Sequence, residues 1–132
     1  MSNPYRFVIL HHQTPMDDHW DIMLEADSAL ITWSIPPQSP AGAGSIGATF
    51  VCSATRLPDH RKYYLDYEGE ITGNRGMVSR IDAGTYEQIA PYKYLLYGMK
   101  FSGELTVKEN MMTFAPDSYS TSTPEAGVPR RD

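Results

Sequence analysis

Apolar and polar residues alternate in short runs along this chain, and no long stretch keeps a helical period. Residues 6–10 (RFVIL) are mostly β-branched and aromatic, as strand residues are. Residues 19–25 set Trp20, Ile22 and Leu24 on one face and His19, Asp21, Met23 and Glu25 on the other. That period of two predicts a strand. Residues 30–35 align Ile31, Trp33 and Ile35 before Pro36 and Pro37 stop the run. Residues 63–67, 77–81, 95–101, 104–108 and 111–114 are further strand candidates, separated by turn signals such as Gly73-Asn74 and Glu109-Asn110. Residues 38–48 (QSPAGAGSIGA) read as a flexible loop. From Pro116 the chain is rich in Ser, Thr, Pro and Gly without apolar period. The pattern predicts a mainly β, small antiparallel barrel-like single domain over residues 1–115, with few or short helices. A disordered tail is expected over 116–132.

Composition narrows this only a little. The 132 residues are 41% apolar, enough for one compact core. Eleven basic against sixteen acidic side chains give a formal charge of −5, which excludes a nonspecific nucleic-acid coat but leaves room for a local phosphate site. Cys52 is the single cysteine, so no internal disulfide is possible and a reducing, cytoplasmic setting is expected. The apolar run at residues 7–10 is too short for a signal or a membrane span, so no membrane partner is expected.

The candidate chemistry begins at residues 11–25, HHQTPMDDHWDIMLE, where three histidines and three aspartates fall within eleven residues. In a strand, His19 and Asp21 project side by side from one face. If residues 6–10 pair with 20–24 as a hairpin, a third ligand comes from His11 or His12 at the end of the first strand. Two imidazoles and a carboxylate with open positions suit Mn, Fe or Zn. The same residues would serve equally as the wet face of a hairpin, and spacing leaves both readings open. A second group, RLPDHRKYYLDYEG at residues 56–69, carries Arg56, His60, Arg61, Lys62 and Tyr64 within nine residues. Five of the eleven basic residues (with Arg75 and Arg80) lie between 56 and 80. A basic patch beside a metal is what a phosphate needs. Taken alone, this group reads as a loop followed by a strand, with Tyr63, Tyr64 and Tyr67 as core and edge aromatics.

Taken in order, RFVILHH, HWDIMLE, TWSIP, PDHRKYYLDYEGEI, GNRG, DAGTYE and LLYGMKFSGELTV resemble the 3′-phosphoesterase domain of bacterial DNA ligase D and its stand-alone relatives. The likeness runs over residues 6–107 and implies a compact β-barrel-like domain. It implies metal ligands at His12, His19 and Asp21, with Mn2+ as the expected ion. His11 is the fallback ligand, and Asp17 and Asp18 lie in a loop one residue longer than the family's usual one. It places the family's further active-site histidine and tyrosine on His60 and Tyr64. The implied activity is metal-dependent removal of a terminal 3′-ribonucleoside and then the 3′-phosphate from a DNA or RNA-tailed DNA end. A base could stack on an exposed tyrosine near the site. Separate ligase and polymerase repair proteins are the implied partners.

The chain also departs from the family's pattern. Met23 stands where the family has an arginine that contacts phosphate, and Pro37 where it has a lysine. Arg56, Arg61 and Lys62 are the candidate phosphate-binding replacements. Two other readings remain: a mononuclear iron oxygenase using an H-x-D…H triad of His19, Asp21 and His60, and an inactive module that binds nucleic-acid ends. The first lacks an obvious oxoacid-binding arginine, since Arg130 and Arg131 fall in the expected tail.

Overall fold

The computed structural model describes residues 4–38 and 47–117. Ten strands and one short 3-10 helix make up the fold: β1 (Tyr5–Gln13), β2 (Asp18–Glu25), β3 (Leu30–Ile35), β4 (Phe50–Ser53), β5 (Thr55–His60), the helix (Lys62–Leu65), β6 (Gly69–Glu70), β7 (Met77–Ala90), β8 (Lys93–Gly98), β9 (Ser102–Lys108) and β10 (Met111–Pro116). All pairings are antiparallel, in the order β4-β10-β9-β8-β7-β1-β2-β3-β5, with β6 added beside β7. The two ends of this order, β4 and β5, are consecutive in the chain and meet at Ala54, so one bent segment serves both edges of a nearly closed barrel. Closure leaves few unpaired strand edges exposed. Among the described residues, no helix is long and apolar enough to cross a membrane.

Alternation sorts the core into two layers. Phe7, Ile9, Trp20, Ile22, Leu24, Trp33 and Ile35 point into the barrel, where they meet Leu96, Phe101, Leu105 and Phe114. The opposite faces of β1 and β2 are covered as well: Val8, Leu10 and Met23 pack with Leu30, Val78, Tyr64 and Leu65. The 3-10 helix is therefore a cover laid on the outside of the barrel over β1 and β2. Residues 63–67 were expected as a strand, and this is a correction. Tyr64 and Leu65 are adjacent yet both buried against one layer, which a strand's alternation does not allow. The i to i+3 bonds from Tyr64 N–H to the Arg61 carbonyl (3.1 Å) and from Asp66 N–H to the Tyr63 carbonyl (3.2 Å) turn the chain instead.

Other boundaries shift for local reasons. The segment from residue 56, which taken alone reads as a loop, forms β5; the register steps from Leu30↔His60 to Thr32↔Leu57, so Pro58 sits in a bulge where its missing N–H costs no ladder bond. β7 continues nine residues past the expected end at Ile81, pairing first with β1 and then with β8. Gly84 permits the handover, since a Cβ there would lie 2.1 Å from the Tyr97 carbonyl oxygen. The expected loop at 38–48 lies outside the described residues from 39 to 46, and the expected tail lies outside them from 118 onward. β10 runs through Pro116, and Asp117 N–H donates to the Ser102 carbonyl at 2.8 Å.

Candidate metal centre and anion cavity

The β1–β2 hairpin sets the site. Its register pairs His12 with His19 and Leu10 with Asp21, and the connection closes through Thr14 N–H donating to the Asp17 carbonyl at 2.7 Å. His12, His19 and Asp21 fall on the outer face with Val8, Leu10 and Met23, not in the barrel interior. Alternation sends His11 the other way, where it pairs with Asp18. The fallback ligand and Asp18 are thereby engaged with each other.

Three donor atoms converge, all within 4.8 Å of one another. His12 Nδ1 lies 3.4 Å from Asp21 Oδ2, and His19 Nε2 lies 3.2 Å from Asp21 Oδ1. The second nitrogen of each ring is already engaged. His12 Nε2 donates to the Arg75 carbonyl at 2.8 Å, and His19 Nδ1 donates to Asp17 Oδ2 at 2.6 Å. With the protons so assigned, each imidazole turns a lone pair toward the carboxylate. Outer partners of this kind fix the tautomer of a metal-binding histidine. Asp17 thus orients the His19 ring.

Asp21 is the buried charge at the centre. It is 2% exposed, and its Oδ1 has no hydrogen-bond partner. Burial raises its pKa above the ordinary carboxylate range, opposed by attraction to His19, His12 and His60. A buried, unpartnered carboxylate oxygen is costly unless a cation compensates it. Neighbouring ligands of a cation bound at about 2.1 Å sit roughly 3.0–3.4 Å apart, and both imidazole–carboxylate separations here have that spacing. The donor set therefore fits one divalent cation.

A cavity of about 240 Å³ opens above these residues. His12, Asp21 and Met23 line it together with His60, Tyr64, Arg61 and Arg75. His60 Nδ1 donates to the Pro58 carbonyl at 2.8 Å, leaving Nε2 for a ligand, and its ring meets Tyr64 edge-on at 5.9 Å. Arg61 and Arg75 make no ion pair among the described residues; Arg61 lies over the Tyr63 ring at 5.7 Å and Arg75 Nε donates to the Thr72 carbonyl at 2.7 Å.

A family model for the DNA ligase D 3′-phosphoesterase domain matches residues 10–117. The chain belongs to this family. No curated protein matches the chain. Within this phosphoesterase family frame, the structure brings His12, His19, Asp21, His60, Tyr64 and Arg61 to one cavity. It does not bring Arg56 or Lys62 there. Arg56 lies over Trp33 at 5.6 Å, pairs with Asp59 at 3.0 Å and lines a separate cavity with Tyr92. Lys62 pairs with Glu25 at 3.3 Å. The donor atoms that converge are those of His12, His19 and Asp21, with His60 on the wall of the same cavity. Arg75 was missed as a site residue, although the Gly73–Gly76 turn around it was visible. Gly76, at φ 92°, comes so close to β1 that a Cβ would lie 2.0 Å from the Gln13 carbonyl oxygen. That approach carries the Arg75 carbonyl to His12.

Proposed function

We propose that this chain is a metal-dependent phosphoesterase acting on nucleic-acid 3′ ends. It would remove a 3′-ribonucleoside and then the 3′-phosphate during DNA end repair in the cytoplasm, with separate ligase and polymerase proteins as partners. The observation that carries this reading is the buried Asp21 carboxylate facing two oriented imidazoles at the floor of a cavity rimmed by two arginines that make no ion pair among the described residues. His12, His19 and Asp21 would hold the ion, with Mn2+ the proposed one. When bound, such an ion supplies a Lewis acid for a nonbridging phosphate oxygen.

The remaining residues bind and move protons. Arg61 and Arg75 clamp the phosphate from the cavity wall, a role that Met23 cannot fill because a thioether carries no charge. Met23 instead stays in the outer core at 1% exposure. As water bonds to phosphorus, protonated His60 gives its Nε2 proton to the departing oxygen, the ribonucleoside's 5′ oxygen in the first hydrolysis and the strand's 3′ oxygen in the second, while the Pro58 carbonyl holds its Nδ1. Tyr64 fixes the imidazole against the cavity wall.

The test is release of phosphate from a 3′-phosphate-ended primer with and without Mn2+. His60→Ala should cut the rate ~10²–10⁴-fold and leave Mn2+ binding nearly intact by titration calorimetry. Met23→Arg tests whether a further cation at the cavity floor raises the rate. Wild-type protein that binds Mn2+ yet releases no phosphate from DNA or RNA ends across pH would defeat the proposal.

A further inference from the structure

A second cavity of about 420 Å³ adjoins the first and shares Arg61, Tyr64, Ile71 and Arg75 with it. Its other walls are Tyr63, Tyr67, Glu70 and Thr72. That size lies in the range of small-ligand sites. Tyr63 is 54% exposed, because the 3-10 helix buries its neighbours Tyr64 and Leu65 and turns Tyr63 outward. Its ring is stacked on Tyr67 at 4.8 Å and 24°, and Tyr67 is itself pinned by a hydrogen bond from its hydroxyl to the Glu70 carbonyl. Core packing does not bury Tyr63, whose ring also meets the Arg61 guanidinium at 5.7 Å.

From these features we infer that this second cavity is a nucleobase subsite. The base of the nucleotide beside the scissile phosphate lies against the Tyr63–Tyr67 stack while its phosphate sits over His12, His19 and Asp21. The inference rests on the phosphoesterase reading and deepens it. The charge pattern favours a base over a second phosphate. The two arginines lie on the border shared with the first cavity, where one phosphate is clamped. Glu70, on the far side, makes no ion pair among the described residues and would repel an anion. A base offers an uncharged π face to the tyrosines and an exocyclic amine to the carboxylate. Stacking tolerates every base, so the subsite selects an unpaired or frayed strand end without reading its sequence.

The test uses the full chain with Mn2+ and two 3′-phosphate oligonucleotides, one ending in a normal nucleotide and one in an abasic residue. Wild type should show KM about tenfold higher on the abasic end, the loss of one stack, with kcat little changed. Tyr63→Ala should raise KM by a similar factor on the normal end and leave it unchanged on the abasic end. Tyr63→Trp should restore it. Anisotropy binding of the matching 3′-hydroxyl strands, which undergo no chemistry, should show the same preference. That preference without phosphate release from any end would defeat the catalytic proposal and leave the subsite standing. Equal KM on both ends for wild type, or a Tyr63→Ala loss equal on both, would overturn the subsite. Should Tyr63→Ala fail to fold, as unchanged ellipticity on heating would reveal, Tyr63→Trp and the wild-type abasic comparison decide it.

Discussion

Asp21 shows at the scale of one residue how function is bought with stability. Its raised pKa means that the folded state binds the carboxyl proton more tightly than the unfolded chain does, so in metal-free protein that stabilisation is lost as pH rises through the folded pKa. Asp21→Asn should therefore raise the melting temperature of metal-free protein near neutral pH, by roughly 1–2 kcal/mol of stability. The gain should fade in acid, where both side chains are neutral, and the variant should lose the stabilisation that Mn2+ confers on wild type. Thermal melts across pH, with and without Mn2+, check both. Burial acts in the same direction on Cys52. Burial pushes its thiol up to about 11, so little thiolate exists at pH 8. Alkylation by iodoacetamide, followed by mass spectrometry, should run on the order of a hundredfold slower than for an exposed cysteine.

At the scale of elements, the turn before β7 and the 3-10 helix do the positioning. Gly76→Ala would place a Cβ against the Gln13 carbonyl at a φ of 92°. The expected cost is about 1–3 kcal/mol of stability. Because the Arg75 carbonyl would shift off His12, Mn2+ affinity should fall by ~10–100-fold as well. Chemical denaturation and metal titration of the same variant check the pair. A loss of stability with unchanged metal affinity would show that the turn does not orient His12. The helix was hidden by its own composition: tyrosine favours strands, and three tyrosines in five residues concealed a turn chosen by packing on Val8, Leu10 and Met23.

At the scale of the whole molecule, metal binding and folding should be linked. The three proposed ligands lie on one hairpin whose register exists only in the folded barrel, so Mn2+ at a hundred times its Kd should add about 2.7 kcal/mol. Calorimetry should show the midpoint rising by roughly 10 °C, and His19→Ala should abolish the rise. The barrel's final described strand ends at Pro116 with Asp117 tied to Ser102. The sequence beyond offers no apolar period to bury. A chain stopped after Asp117 should melt at the same temperature as the full one, and a clear drop would show that the later residues dock on the barrel.

The sequence by itself determined what depends on neighbours along the chain. Strand periodicity placed β1, β2 and β3, and the i, i+2 spacing put His19 and Asp21 on one face, because alternation is a property of any extended backbone. Motif order carried the family. Only the tertiary structure decided what depends on cross-strand register and on packing from remote segments. It brought His12 and not His11 beside His19 and Asp21, and it set Asp17 against the His19 ring. It drew Arg56 to Trp33 and Lys62 to Glu25 while delivering Arg75 from sixty-three residues beyond His12. Charge clusters along a sequence do not say which cations will find carboxylates. That is settled when a nearly closed barrel fixes which surfaces meet, and Arg61 and Arg75 were left facing the cavity.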